Sequence, residues 1–176
     1  MKNHSIRFAL LFLFCIAVVK AQTPATTADR AFSKLQSLTG DWVGKDDHGM
    51  PAKTSFRKIA GSTAMMETLT MSGMDEMVTL YSIDGDSISL IHYCPTKNQP
   101  HMQATPPSGE IQDLVFEFKD ARNLPTPATG HEQKLVLHFD DATHITESWT
   151  WRRDGKDTVF VYHLARKPAP GRAAKP

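Results

Sequence analysis

From Trp42 onward the chain alternates apolar and polar residues in short runs separated by turn signals. A period of two marks strands with one buried face, because successive side chains on a strand point to opposite sides. The pattern predicts strands at Trp42–Asp46, Thr54–Ile59, Met65–Met71, Glu76–Ile83, Ser87–Cys94, His101–Ala104, Leu114–Lys119, Lys134–Phe139, Ile145–Arg152 and Thr158–Arg166. Leu114–Lys119 is the clearest: Leu114, Phe116 and Phe118 share one side, and Val115, Glu117 and Lys119 the other. Asp84-Gly85 and Asp154-Gly155 read as hairpin turns, since both residue types tolerate positive φ. One stretch has helical spacing, with Ala31, Phe32, Leu35 and Leu38 at i, i+1, i+4 and i+7. Thr27 or Asp29 is placed to cap its start, and Gly40 ends it.

Roughly ten short strands with hairpin-length connections predict an all-β fold, an antiparallel up-and-down barrel with a short N-terminal helix. Closing such a meander into a barrel removes its unpaired edges.

The first residues follow a different pattern. Lys2 and Arg7 precede an unbroken apolar run from Phe8 to Val19, about a dozen residues and too short for a membrane span. Val19-Lys20-Ala21 then leads to a cut near Gln22. The pattern predicts a secretory signal peptide over residues 1–21, a leader over 22–28, a barrel domain over 29–167 and a disordered Pro/Ala/Lys-rich tail over 168–176. Phe14 before Cys15 argues against lipoprotein processing. The expected destination is the periplasm of a Gram-negative bacterium or the medium, with no integral membrane segment once the signal is removed.

Signal removal also changes the electrostatics. It takes Lys2, Arg7 and Lys20 from the 20 basic residues and nothing from the 19 acidic ones, which moves the net charge from +1 to −2. With no basic patch or charge run, nucleic acid is not an expected partner. Cys94 is then the only cysteine, so the core rather than an internal disulfide must hold the fold.

A short helix followed by Leu38-Thr39-Gly40-Asp41-Trp42 places a Gly-x-Trp at the start of the first strand. This resembles the calycins, the superfamily of lipocalins, fatty-acid-binding proteins and nitrobindin. The resemblance implies a Trp42 that closes the barrel bottom under a cation from the last strand, here Arg166. His92-Tyr93-Cys94 and Asn98-Gln99-Pro100 are similar to segments of exported bacterial lipocalin-like proteins, a group that brings no function with it. The likeness spans about Leu35 to Arg166. Nitrobindin would imply haem held by a histidine, but its other segments have no convincing counterpart here.

The densest chemistry lies in Ile91–Met102. Ile88, Leu90, His92 and Cys94 share one face by the two-residue period, which predicts an inward-facing His92 and Cys94, while Ser89, Ile91 and Tyr93 face away. Such a pair can contact a ligand, hold a thiolate, share a soft metal ion, or simply be packed. His101 and Met102 open the next strand. Glu67 lies between Met65 and Leu69, and Glu147 between Ile145 and Trp149, so both glutamates are candidates for a polar floor inside the barrel. Arg57, Lys58, His92 or His163 are candidate partners, because a buried charge needs one. The expected cavity lining is Met65 or Met66, Leu69, Leu90, Phe116, Leu137, Trp149 and Tyr162. His131, His138 and His144 lack metalloprotease spacing, and no Gly-x-Ser-x-Gly elbow is present.

The expected function is binding of a small, largely apolar ligand inside the barrel. The candidate contacts are His92, Cys94, Glu67, Glu147, His101, Trp149 and Tyr162, with Trp42 and Arg166 structural. The competing readings are an enzyme using Cys94 or His92 in redox or isomerase chemistry, a haem or metal carrier, and a structural domain without a ligand. The sequence assigns no cofactor and no oligomeric state.

Overall fold

The computed structural model describes residues 24–168, so the expected signal peptide and nearly all of the expected tail lie outside the described residues. Ten antiparallel strands close into a barrel in which each strand pairs with its neighbours in sequence and β1 pairs with β10. The strands are β1 (Gly40–Asp46), β2 (Pro51–Ile59), β3 (Ala64–Met71), β4 (Met77–Asp84), β5 (Ser87–Tyr93), β6 (Gln99–Ala104), β7 (Asp113–Arg122), β8 (His131–His138), β9 (His144–Arg153) and β10 (Lys156–Arg166). Among the described residues no helix is long and apolar enough to cross a membrane.

Among the described residues one α-helix, α1 (Thr27–Gln36), precedes the barrel. Its cap is Thr26 rather than Thr27 or Asp29 alone. The Thr26 hydroxyl accepts from the Asp29 amide at 3.0 Å, while the Asp29 carboxylate accepts from the Thr26 amide at 2.8 Å. This reciprocal box satisfies two backbone donors that a helix start leaves free. Ala28, Ala31, Phe32 and Leu35 form its buried stripe, which lies against β2, β4 and β5 and covers one end of the barrel. Arg30 fastens the helix to the β6–β7 loop through the carbonyls of Ser108 (2.6 Å) and Gly109 (3.1 Å).

The barrel bottom shows why the chain needs Gly-x-Trp there. Trp42 is buried and its indole N–H donates to the Leu38 carbonyl at 2.8 Å. The Arg166 guanidinium lies 4.2 Å from the Trp42 ring centroid and donates to the carbonyls of Thr39 and Ser37, each at 2.8 Å. One side chain thus stacks on the ring and serves carbonyls at the helix end that have no partner inside the helix. Gly40 has φ +138°, a conformation L side chains avoid, and a Cβ there would come within 3.1 Å of Arg166 Nη1. At the β1–β10 seam Gly44 is required by space, since a Cβ would fall 1.8 Å from the His163 carbonyl oxygen.

Above the helix the interior is packed by Phe56, Met65, Tyr81, Leu90, Met102, Phe116, Leu135 and Leu137. The odd-numbered hairpins β1–β2, β3–β4, β5–β6, β7–β8 and β9–β10 gather at the opposite end. There the Asn98 amide donates to the Gly130 carbonyl at 2.8 Å, joining the β5–β6 loop to the β7–β8 loop.

Candidate functional site

Between the packed half and these loops lies a cavity of about 350 Å³. Leu69, Met71, Met77, Trp149, Trp151, Phe160 and Tyr162 form apolar walls, with Met50 and Met74 from the loops. His92, Cys94, Asp46 and Glu132 supply its main polar atoms. Leu69, Trp149 and Tyr162 therefore stand where the alternation placed them. Leu90, Phe116, Leu137 and Met65 point inward too, but into the packed half below, and Met66 faces away. The methionines that look scattered in sequence converge here: Met50, Met71, Met74 and Met77 come from two hairpins of the open end.

His92 is 1% exposed and projects from β5 into the barrel, its ring 4.8 Å from that of Trp149 on β9. Nδ1 lies 2.9 Å from the Thr79 hydroxyl, whereas Nε2 is buried without a partner. Burial lowers its pKa to about 4, so the ring is neutral at pH 7. Cys94 lies one residue beyond β5, half-buried at the cavity rim, with a free thiol. Tyr93 is exposed on the outer face.

Glu67 and Glu147 both point inward and are fully buried, but neither lines the cavity; they lie beneath it. Their partners are not the cations the sequence offers. Arg57 pairs with Asp41 and His163 with Asp47 on the outside, and Lys58 is exposed. Glu67 instead accepts from the hydroxyls of Thr54 (2.9 Å) and Tyr81 (2.6 Å), and Glu147 accepts from the Trp149 indole at 3.1 Å. The two carboxyl groups also meet each other across the barrel. Glu147 Oε1 is buried without a hydrogen-bond partner, and two carboxyl groups can bond only through a shared proton. Burial and the Glu67 charge push the Glu147 pKa well up, so the proton resides chiefly there. Burial likewise raises Glu67, against the hydrogen bonds it accepts.

Tyr81 donates to Glu67, and the Thr79 hydroxyl stands against His92 Nδ1. A proton on Nε2 would be a buried donor with no acceptor, whereas a proton on Nδ1 is accepted by Thr79. We assign the Nδ1–H tautomer on this ground, which leaves Nε2 a bare acceptor.

Glu132 is the lining residue that period-two reading misses. Strict alternation back from Leu135 and Leu137 would turn it outward. A bulge between Glu132 and Lys134 leaves Gln133 as an extra residue, so that Glu132 sits opposite Trp151 and shares its inward face. Its Oε2 is buried without a partner, and burial raises the carboxyl pKa to about 8. The one sequence signal is the polar run His131-Glu132-Gln133-Lys134, which has no alternation and so no phase.

His101 stands away from the cavity, on the outer wall, between the Ser89 hydroxyl (3.1 Å) and Asp120 (3.2 Å). His138 and His144 are likewise outer-wall residues beside aspartates, while His131 is buried against Phe118. Among the described residues no three His, Cys, Asp or Glu side chains converge as a metal-ligand set.

Fold and site together define a closed ten-stranded antiparallel barrel with a lined interior cavity, an architecture compatible with a calycin-like barrel. A scan of the chain against protein-family models finds no match, and neither does a search of curated proteins.

Proposed function

We propose that this chain is an exported, lipocalin-like barrel of calycin type that binds a small, largely apolar molecule in its cavity. The observation that carries the reading is the bare His92 Nε2 beside a largely apolar, methionine- and aromatic-lined space. Cavities of this kind, with a few convergent polar atoms, are the usual form of small-molecule sites. Methionine walls adapt to irregular ligands. About 350 Å³ lies at the small end of the range for such sites, roughly 300–1,000 Å³. Export is supported by the charged, apolar and small-residue order of the first 21 residues.

Thermal-shift and native mass-spectrometric screening of compact lipophiles tests the binding reading. A ligand at a hundred times its Kd stabilises the fold by about 2.7 kcal/mol, so a true ligand raises Tm by several degrees. Leu69→Trp, which fills the cavity from β3, abolishes that shift in a folded protein. A shift that survives in Leu69→Trp places binding elsewhere and sinks the reading.

Cys94 and His92 line the same cavity, but no hydrogen bond joins them: Nδ1 faces Thr79 and Nε2 has no partner. A thiol–imidazole pair therefore has less support than binding.

A further inference from the structure

Binding of an apolar molecule leaves one feature of the cavity without a role: a carboxyl group with nothing to neutralise it. Glu132 is turned inward by the β8 bulge, its Oε2 is sealed from solvent without a partner, and no Lys or Arg lines the cavity. The other carboxylate of the lining, Asp46, is engaged by the backbone amides of His48 (2.9 Å) and Met50 (2.8 Å). A buried, unpartnered carboxyl is costly in the empty protein and keeps its place best where a ligand completes it. Around it stand Trp149, Trp151, Phe160 and Tyr162, whose ring faces carry negative partial charge.

We propose that the ligand is a protonated amine on a compact apolar body, its ammonium group held by Glu132 among these aromatic rings, with His92 Nε2 as a second acceptor. The proposal rests on the cavity being a binding site and names what binds there. An ammonium group presents donors only, and the unpartnered polar atoms of the wall, Glu132 Oε2 and His92 Nε2, are acceptors once the Glu132 carboxyl has given up its proton. Aromatic rings beside a carboxylate suit an organic cation. A fatty acid would meet two carboxyl groups and no cation. An alcohol has a single donor and no charge to set against the Glu132 carboxylate.

Capture of the amine has a proton balance. In the empty cavity burial keeps Glu132 largely protonated at pH 7, with a pKa of about 8. The bound ammonium favours the carboxylate, so the carboxyl proton leaves to the buffer while every ligand N–H bond stays intact. The titratable groups around Glu132 are Tyr162 on β10, Asp46 on β1, His92 on β5, Cys94 just beyond it and the adjoining His131, with the Glu67–Glu147 pair deeper on β3 and β9. Burial, then the nearby Glu132 charge, raises Tyr162, so it stays neutral, and His92 carries no charge to compete with the ligand.

The test compares phenethylamine, phenethyl alcohol and phenylpropionate by isothermal titration calorimetry on the full chain. Titrations at pH 7 in two buffers of different ionisation enthalpy count the protons released. The expected result is a preference for the amine over the alcohol of about tenfold or more, with close to one proton released per amine bound. Glu132→Gln, with its fold checked by circular dichroism, removes the preference and the proton release. An amine preference that persists in folded Glu132→Gln overturns Glu132 as the anchor, as does amine binding to the native chain without proton release. The latter needs no variant. Alcohol or acid binding as tightly as the amine overturns the amine assignment and leaves the binding cavity standing. So does binding of the neutral dye N-phenylnaphthylamine when the amine does not bind. If neither the three probes nor the dye bind, the cavity reading falls with it.

Discussion

His92 and Glu132 respond to burial in opposite directions, and the pH dependence of stability separates them. His92 falls from 6.5 to about 4 in the fold. The unfolded chain therefore binds more protons between those values, and the stability associated with neutral His92 is complete above about pH 6.5 and lost as pH falls toward 4. Glu132 rises from 4.5 to about 8, so its contribution is full below pH 4.5 and lost as pH rises through 8. Between pH 6.5 and 8 the His92 effect is finished while the buried carboxyls still act, so stability declines with rising pH. Glu132→Gln removes up to about 1.4 kcal/mol per pH unit of that decline. Urea denaturation at several pH values in this window measures it, and a slope identical in both proteins rules out Glu132 as a source. The inward direction of His92, Glu67 and Glu147 is legible in sequence because each has apolar neighbours two residues away. Their partners are not, because Glu67 on β3 meets Glu147 on β9 only across a closed interior. Alternation along a strand carries no information about what lies opposite.

At the scale of elements, all ten strands were legible because hairpin turns punctuate them and period two persists within each. The exceptions are informative. β1, β2, β6, β8 and β10 begin two to three residues earlier than their alternating cores. In β6 this draws Gln99 and Pro100, which read as a turn, into the ladder. In β8 the added residues contain the bulge that rotates Glu132 inward, so the most consequential residue of the site lies where periodicity has no phase. The helix–barrel junction was legible through Gly-x-Trp, but its energetics depend on Arg166, which ties β10 to the Ser37 and Thr39 carbonyls at the end of α1, to the Trp42 ring on β1 and to the Ala142 carbonyl of the β8–β9 loop. Arg166→Ala leaves the Ser37 and Thr39 carbonyls and the Trp42 face without their partner. The expected loss is about 2–3 kcal/mol by chemical denaturation. Arg166→Lys recovers only part of it, because an ammonium cannot both stack flat and fork to two carbonyls. Full recovery by lysine would show that charge alone suffices.

The whole molecule divides its tasks between two ends. Chain closure, helix packing and the Trp42–Arg166 stack lie at one end, and the cavity with the five odd-numbered hairpin loops lies at the other. The proposal of export belongs to this scale. Mass determination of the protein from fractionated Gram-negative cells is expected to find a mature chain that begins at Gln22 outside the cytoplasm. A cytoplasmic chain that retains Met1 would end that proposal. Within the barrel the β1–β10 ladder removes any strand edge that could recruit another chain. The separation of ends has a consequence for redesign. The segments that decide what enters are not the segments that decide whether the barrel closes. The loops can be exchanged as grafts onto a constant frame, and each exchange changes selectivity while the Trp42–Arg166 closure at the far end stays in place.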